Sequence, residues 1–482
     1  MNTIQRIAKN MGVLLLAQVV SYIIGFFFVM YTARYLGAEG FGILSFALTF
    51  TGIFGVFSDL GLSTLTVREV ARDKTLASKY LGNIAVMKII LVIITFGLIA
   101  LTINLLGYPE QTITVVYLVA LSVIFGAFSG MFNSIFQAYE RMEYQSLGHI
   151  LSSALLLSGA LFAIGQGFSV VGFASIYFLV SAISLGYSFV VCAWKFVLPK
   201  IEVDWSFWKP TIKEALPFFL SAVFSVIAFK IDIVMLSMMK GDIVVGWYSA
   251  AYRLMEVLMF IPATFVGSIY PVLSNFYVSS QESLKIAYHK SFKYLSIVGL
   301  PIAVGTTLLA DKIILIIFKS EFDQSIIALQ VLIWTIPIIF LTYMFGTMLA
   351  SIDRQDLTVK ILLICMSLNV VINLILIPRY SYVGAAIATV ITELLAFILC
   401  YYFLSKFIYK IQIYKFIAKP IIASAIMGLF ILSFVKMNLF LLVCISIVIY
   451  FGVLTLLRTF TKEDLNLFMQ IIDTKKHGEI KE

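Results

Sequence analysis

The chain has 482 residues, of which 61% are hydrophobic and only 12% are charged. That much apolar surface excludes a water-soluble fold, and it makes the lipid bilayer the solvent of this protein. The formal net charge of +9 does not indicate nucleic acid, because orientation in a membrane explains the positions of Lys and Arg better.

Apolar stretches of membrane-spanning length follow one another from Met11 to Phe460. A helix needs about 20 predominantly apolar residues to cross about 30 Å of hydrocarbon, and these stretches lack the period-2 alternation of barrel strands. The first stretch leads directly into a second, which favours a retained helix over a cleaved signal peptide. We therefore predict an all-α integral membrane protein with about 14 transmembrane helices. The predicted spans are 11–35, 42–66, 81–106, 112–138, 147–165, 170–194, 214–238, 245–275, 292–310, 325–350, 357–377, 381–405, 414–434 and 438–458.

The distribution of Lys and Arg predicts the orientation of the chain. If the amino terminus is cytoplasmic, the loops on the inner side hold most of the cations. The outer loops then hold only Arg34, Lys240, Lys312, Lys319, Arg379 and Lys436. This asymmetry predicts an even number of spans in the cell membrane, with both termini in the cytoplasm.

The chain contains an internal repeat. The first set of matching pairs, 204 residues apart, is Gly37 and Gly241, Gly42 and Gly246, Ser45 and Ser249, and Ala47 and Ala251. A second set, 212 residues apart, is Ser169 and Ser381, Val171 and Val383, Gly172 and Gly384, and Ala174 and Ala386. The dipeptide Glu140-Arg141 likewise corresponds to Asp353-Arg354, at the inner end of the fourth helix of each half.

The repeat predicts two six-helix lobes of the same orientation, residues 1–205 and 206–405. Residues 406–461 add two further transmembrane helices, and residues 462–482 form a charged cytoplasmic tail. Two parallel repeats related by an axis along the membrane normal are typical of transporters, with the substrate path between the halves. Duplicated membrane proteins that transport nothing are the alternative, but twelve duplicated spans favour transport.

Ionisable side chains inside the predicted spans are the candidate functional residues. A charge at the centre of a span costs at least ~2.5–3.5 kcal/mol, so such residues usually face a partner or a water-filled cavity. They are Asp59, Lys88, Lys230, Asp232, Arg253, Glu256 and Glu393. A helical rise of ~1.5 Å per residue, counted from each loop, indicates which of them share a depth.

The turn between helices seven and eight, near Gly241, brings four of these residues to similar depth. We hypothesise that Asp232 pairs with Arg253 and that Lys230 pairs with Glu256. Ion pairs that only lock the two helices together and a role in binding substrate or a coupling ion are equal alternatives.

Two further sites follow from the same geometry. The turn between helices two and three places Asp59 and Lys88 at equal depth on the inner side, where a structural bridge is favoured over a functional site. Glu393 has no partner close in sequence. It is interpreted either as a proton or cation site or as a neutral, hydrogen-bonded carboxyl group.

Motifs of catalysis and metal binding are absent from the sequence. It has no GxxxxGK[ST] nucleotide-binding loop, no HExxH and no GxSxG. The four cysteines lie in apolar stretches without CxxC spacing. Gly126 and Gly130 form a GxxxG pattern in helix four, which predicts close helix packing rather than function. We predict no enzymatic activity, no cofactor and no metal site.

Several stretches, in order along nearly the whole chain, carry a family resemblance. They are Tyr31–Phe46, Asp59–Leu62 followed by Arg68–Glu69, Gln137–Met142, Val245–Arg253, and Asn373–Pro378 leading to Gly384–Thr389. On these residues the chain resembles the Wzx-like polysaccharide flippases of the multidrug/oligosaccharidyl-lipid/polysaccharide exporter superfamily. The resemblance implies a V-shaped pair of lobes that opens alternately to each side. It also implies transport of a polyprenyl-(di)phosphate-linked oligosaccharide to the outer leaflet, for cell-surface polysaccharide or glycan synthesis.

The same resemblance assigns roles to the charged residues. Cations in the central cavity would hold the phosphate of the substrate, so Arg253 and Lys230 are the main candidates, and Arg34 near the outer mouth is a weaker one. The coupling or charge-pair candidates are Asp232, Glu256, Asp59, Lys88 and Glu393.

Two other functions stay open. A cation-coupled multidrug exporter of the same superfamily should have acidic residues without nearby cations, and Arg253 and Lys230 count against it. A membrane-embedded glycosyltransferase or polymerase should have an acidic motif in a sizeable outer loop, which the short loops 35–41 and 239–244 cannot supply. Expected partners are the lipid-linked oligosaccharide, membrane lipids, a proton or sodium as coupling ion, and a glycan polymerase or glycosyltransferases.

Overall fold

The computed structural model describes residues 3–198, 200, 202–407 and 412–460. Within these ranges the chain folds into fifteen α-helices, three short 3₁₀ helices and no strand. The helices are α1 (Thr3–Gly55), α2 (Leu62–Arg72), α3 (Ala77–Leu105), α4 (Glu110–Ala138), α5 (Met142–Gln166), α6 (Val170–Lys195), α7 (Trp205–Lys240), α8 (Asp242–Leu258), α9 (Phe260–Ser279), α10 (Gln281–Phe318), α11 (Ser325–Leu332), α12 (Thr335–Ser351), α13 (Gln355–Phe407), α14 (Ile413–Ser433) and α15 (Leu439–Leu456). The predicted tail, residues 462–482, lies outside the described residues.

Twelve helical segments among the described residues are long and apolar enough to cross a membrane. Two of them contain a residue outside helical geometry, Gly37 in α1 and Ser381 in α13. The first lies between the predicted spans 11–35 and 42–66, and the second begins the predicted span 381–405. The all-α, multi-pass prediction is confirmed, whereas fourteen separate crossings stay a prediction.

Three predicted spans are interrupted in the structure. The span 42–66 breaks where Gly61 adopts a left-handed backbone with φ of 77°. The span 245–275 breaks after Leu258, because Pro262 has no N–H to donate to the Leu258 carbonyl. The span 325–350 breaks between α11 and α12, where Pro337 lies in the first turn of α12. Proline and glycine with a left-handed backbone thus interrupt helices that hydropathy alone predicts to be continuous.

The internal repeat is visible in the backbone. Gly37 and Gly241 adopt the same conformation, with φ of 68° and 83° and an extended ψ, immediately before a helical segment. This left-handed φ favours glycine, because a Cβ would clash with the backbone. The matching residues Glu140 and Asp353 also share a positive φ, of 56° and 59°. Corresponding positions of the two halves therefore turn in the same way.

Gly42 and Gly246 form a reciprocal helix crossing between α1 and α8. A Cβ on Gly42 would overlap the carbonyl oxygen of Asp242, and a Cβ on Gly246 would overlap the carbonyl oxygen of Ala38. Gly246 and Asp242 lie 204 residues after Gly42 and Ala38, so the repeat exchanges the two contacts and the crossing has approximate two-fold symmetry. Only glycine lets the two backbones come this close.

Replacement of Gly42 with Ala is expected to destabilise the protein by about 1–3 kcal/mol, because the two backbones must separate. The matched control is Gly52→Ala on the same helix, where a Cβ meets no atom within 4 Å. The melting temperature in detergent and the amount of protein in the membrane should fall for the first variant only. Equal stability of the two variants would contradict this close crossing.

The chain divides into two compact units. Unit 1 comprises the described residues of Met1–Val257, Ile314–Ala328 and Val359–Ala388. Unit 2 comprises those of Leu258–Ile313, Leu329–Thr358 and Thr389–Glu482. This division does not follow the predicted boundary at residue 205, since α7 packs against α1 and α2, and α8 crosses α1 at the two glycines. The division into lobes 1–205 and 206–405 stays a prediction.

Each unit has its own apolar core. In unit 1 the fully buried side chains of Leu81, Ile84 and Phe136 join α3 to α4. In unit 2 the hydroxyl group of Tyr450 on α15 donates to the Ile297 carbonyl over 2.8 Å. This bond satisfies the polar end of a buried ring, which a lipid environment requires.

The start of α7 is fixed by Asp204. Its side chain accepts hydrogen bonds from the backbone N–H groups of Ser206 and Phe207, and its carboxylate lies 3.0 Å from Lys79 Nζ. Hydrogen bonds from Ser206 and Lys79 lower the pKa of Asp204 to about 2. The helix that carries Lys230 and Asp232 therefore begins at an ionised cap.

Candidate functional site

Lys230, Arg253 and Glu256 form a charged cluster between α7 and α8. Lys230 Nζ lies 3.0 Å from Glu256 Oε1, and Arg253 Nη1 lies 2.7 Å from Glu256 Oε2. Arg253 and Glu256 are three residues apart and share one face of α8. Each oxygen of the single carboxylate thus binds one cation, and the predicted Lys230–Glu256 pair is confirmed.

Asp232 takes no part in this cluster. Its side chain accepts hydrogen bonds from the Tyr248 hydroxyl group and from the Ile233 backbone N–H, and the residue is only 3% exposed. The hypothesis that Asp232 pairs with Arg253 is therefore wrong. Residues 230 and 232 point to different faces of α7, so only Lys230 reaches the cluster.

The ring of Tyr252 supports Lys230. Lys230 Nζ lies 5.1 Å from the centre of the Tyr252 ring, within the range of a cation–π contact. The Tyr252 hydroxyl group donates to the Phe229 carbonyl over 2.9 Å, which fixes the ring. The ammonium group is thus held by both an aromatic face and a carboxylate.

Arg253 and Glu256 of the charged cluster line a cavity of about 270 Å³ in unit 1, and Lys230 bonds to Glu256 in its wall. Arg253 and Glu256 form one wall, and Tyr22, Gly25 and Phe26 of α1 form the opposite one. The side chains of Lys230, Arg253 and Glu256 are 26%, 36% and 34% exposed. Two cations and one carboxylate leave one positive charge on the cluster, which suits an anionic ligand.

Arg34 caps the end of a helix. Its Nε donates to the Ile317 carbonyl over 2.8 Å, and its Nη2 donates to the Ile316 carbonyl. These carbonyl groups belong to the last turn of α10, where no intrahelical donor remains and the helix dipole is negative. The predicted substrate residue Arg34 thus already bonds to the protein backbone.

Asp59 and Lys88 form the predicted ion pair, and Lys88 is fully buried. Lys88 Nζ donates to the Asp59 carboxylate, to Ser63 Oγ over 3.3 Å and to the Ala127 carbonyl over 2.9 Å. An ammonium group has three donors, so all of them are satisfied. These bonds link α2, α3, α4 and the turn after α1, and a structural rather than functional role for the pair stays a prediction.

Glu393 lies half-buried in α13, within unit 2. It makes no hydrogen bond or ion pair with the residues that the structure describes. A coupling role for Glu393 stays a proposal. In the same described ranges, no three His, Cys, Asp or Glu side chains come together as a metal site.

A second cavity, of about 410 Å³, lies among α4, α5 and α6. We call it the polar cavity, and its polar lining residues are Ser122, Ser129, Asn133, Gln145, His149, Ser152, Tyr177, Ser181, Ser184 and Ser188. The sequence analysis did not predict the polar cavity, although serine recurs on α6 at helical spacing.

Gly126 and Gly130 also line the polar cavity, and a Cβ on Gly126 would have no atom within 4 Å. Gly126 therefore makes room for the cavity rather than packing two helices closely.

Comparisons with known proteins match this fold and much of this sequence. The family described as "Polysaccharide biosynthesis protein" matches residues 7–277, and the MatE family matches residues 217–375. A relative from Haloferax volcanii, described as "Probable low-salt glycan biosynthesis flippase Agl15", is 24% identical over 83% of this chain and 84% of its own length. "Capsular polysaccharide biosynthesis protein CapF" of Staphylococcus aureus is 24% identical over 83% of this chain and 99% of its own length.

Two solved structures share the fold. "Lipid II flippase MurJ, inward closed conformation" matches with a TM-score of 0.76 and 17% identity, over 92% of this chain and 98% of that chain. An inward-facing multidrug resistance MATE family transporter matches with a TM-score of 0.66 and 17% identity, over 80% of this chain and 95% of that chain. The fold is thus of the transporter type that these two proteins share.

Proposed function

We propose that this chain, which belongs to the polysaccharide biosynthesis protein family, is a flippase for a polyprenyl-(di)phosphate-linked oligosaccharide. It moves this substrate from the inner to the outer leaflet of the cell membrane for surface glycan synthesis. The observation that carries the proposal is the charged cluster, which keeps a net positive charge beside a cavity in an otherwise apolar protein. The names of the Haloferax volcanii and Staphylococcus aureus relatives support the same substrate class.

Arg253 and Lys230 bind the phosphate. The planar guanidinium group of Arg253 can donate two parallel hydrogen bonds to phosphate oxygens, while Lys230 adds a point charge. Arg34 is left out of this site, because the end of α10 accepts its hydrogen bonds.

Glu256 is the internal counter-ion of the site. Without substrate it pairs both cations, which avoids the cost of leaving a buried charge unpaired. A phosphate group must compete with Glu256 for Arg253 and Lys230. This competition weakens binding and so allows the substrate to leave in the outer leaflet.

Transport proceeds by alternating access, with both termini in the cytoplasm. The shared fold with transporters solved in inward-facing and outward-facing conformations supports this mechanism. A proton or sodium ion drives transport by binding at Glu393, whose carboxyl group makes no hydrogen bond or ion pair within the described part of the chain. The Asp59–Lys88 pair is not the coupling site, because every donor of Lys88 is in use.

A cation-coupled multidrug exporter is the second candidate, since the MatE family matches residues 217–375. Export of cationic drugs through this cavity needs a carboxylate in the cavity wall that is free to bind a cation. Both oxygens of Glu256 in the charged cluster are already paired with cations. The electrostatics of the cavity therefore favour an anionic substrate.

The test is transport by the purified protein in liposomes. The probe is an undecaprenyl-diphosphate oligosaccharide with a fluorescent group on its sugar, and a membrane-impermeant reductant destroys the outer-leaflet signal. We expect the protein to make all of the probe accessible, whereas protein-free liposomes keep about half protected. Vesicles loaded with a fluorescent cationic drug provide the contrast. Movement of the drug without movement of the glycolipid would favour the exporter and overturn the proposal.

A further inference from the structure

We infer that the polar cavity of unit 1 binds sugar hydroxyl groups of the transported glycan, next to the phosphate site. This inference rests on the proposed function, because it names where the glycan part of that substrate lies. The cavity volume of about 410 Å³ falls within the range of about 300–1,000 Å³ typical of small-molecule sites.

Three polar side chains of the cavity lack a partner. Most serine residues of the lining bond back to their own helix, as Ser129 does to the Phe125 carbonyl over 3.0 Å. In contrast, Ser188, Asn133 and Tyr177 make no side-chain hydrogen bond with any residue that the structure describes. Ser188 is only 4% exposed, and it nevertheless lines the cavity. Asn133 and Tyr177 are half-buried, and the polar atoms of all three side chains are open to the cavity rather than enclosed by protein. They are therefore available to bond to a polar ligand there.

The chemistry of the lining suits an uncharged polyhydroxy ligand. Serine hydroxyl groups both donate and accept hydrogen bonds, and the amide of Asn133 offers both functions as well. The lining contains no Asp, Glu, Lys or Arg, and its one imidazole is that of His149, so it offers neither a cluster of metal ligands nor a permanent cation for a phosphate. The ring of Tyr177 adds an apolar face for the C–H side of a sugar ring.

The polar cavity and the phosphate site are neighbours within unit 1. The Tyr177 side chain lines the polar cavity and contacts α1. The Tyr177 ring also lies 5.7 Å from the ring of Phe28, in the stretch of α1 that borders the charged cavity. A diphosphate held by Arg253 thus places its first sugar beside Tyr177.

The experiment fills the cavity without disturbing the phosphate site. In the variant Gly126→Leu the new side chain enters the open space beside α4, where a Cβ meets no atom within 4 Å. The matched control is Gly186→Leu, at an exposed glycine of α6 where a Cβ is equally free of contacts. A second variant, Asn133→Ala, removes an unpartnered amide in case the larger side chain distorts the helix.

Binding is measured for two kinds of probe, undecaprenyl diphosphate alone and undecaprenyl diphosphate carrying glucose, galactose or N-acetylglucosamine. The wild-type protein should bind at least one sugar-bearing probe more tightly than the bare lipid. That preference should fall about tenfold in Gly126→Leu and about threefold to tenfold in Asn133→Ala, as expected for lost sugar hydrogen bonds. Affinity for bare undecaprenyl diphosphate should stay unchanged in both variants and in the control.

The outcomes separate this inference from the function on which it rests. If the wild-type protein binds undecaprenyl diphosphate but shows no preference for any sugar-bearing probe, the polar cavity is not a glycan site. The same conclusion follows if Gly126→Leu and Asn133→Ala keep the full preference. If the wild-type protein binds none of the probes, the proposed flippase function itself fails.

Discussion

Replacement of Arg253 with Ala is expected to lower glycolipid transport about tenfold to a hundredfold. Hydrogen bonds to charged groups contribute about 1.5–3 kcal/mol, and each 1.4 kcal/mol corresponds to a factor of ten. The variant should still fold, because Glu256 keeps its bond to Lys230 and the Arg253 side chain is 36% exposed. The loss should therefore appear in transport and not in the amount of protein.

The measurement is surface glycan in cells that lack their own flippase, together with the membrane level of the protein by immunoblot. The control is Arg379→Ala, which removes an exposed cation of α13 that is not part of the charged cluster. Arg253→Lys should keep part of the activity, since lysine retains the positive charge but lacks the planar guanidinium group that donates two parallel hydrogen bonds. Normal glycan output from Arg253→Ala would remove this residue from the site.

Replacement of Lys88 with Met is expected to destabilise the protein by about 3–5 kcal/mol. The substitution leaves the Asp59 carboxylate without its cation, and removing one partner of a buried pair is strongly destabilising. It also leaves the Ala127 carbonyl without the donor that now lies 2.9 Å away. Melting in detergent and the yield from membranes should both fall sharply.

The double variant Lys88→Met with Asp59→Asn distinguishes a structural bridge from a coupling site. Two neutral groups of similar shape should recover most of the stability, because no unpaired charge remains. If the bridge is structural, transport returns together with the protein level. Recovery of the protein level without transport would instead assign the pair to ion coupling.

The amino-acid sequence determined where helices form and which residues share a helix face. Hydropathy placed helices over most of each predicted span, with breaks in three of them, and the separation of Arg253 from Glu256 placed both on one face of α8. Counting residues from the turn at Gly241 was enough to pair Lys230 with Glu256. Counting from the turn between predicted helices two and three likewise paired Asp59 with Lys88. These predictions succeeded because spacing along a helix, and depth on either side of a tight turn, are local geometry.

The tertiary structure determined which residues of other helices contact each helix face. Asp232 accepts a hydrogen bond from the Tyr248 hydroxyl group instead of pairing with Arg253. Arg34 donates to carbonyl groups at the end of α10, nearly three hundred residues away in sequence. The polar cavity exists only because serine faces of α4, α5 and α6 converge where Gly126 has no side chain. No local pattern specifies such long-range contacts, because they depend on how separate helices pack against each other.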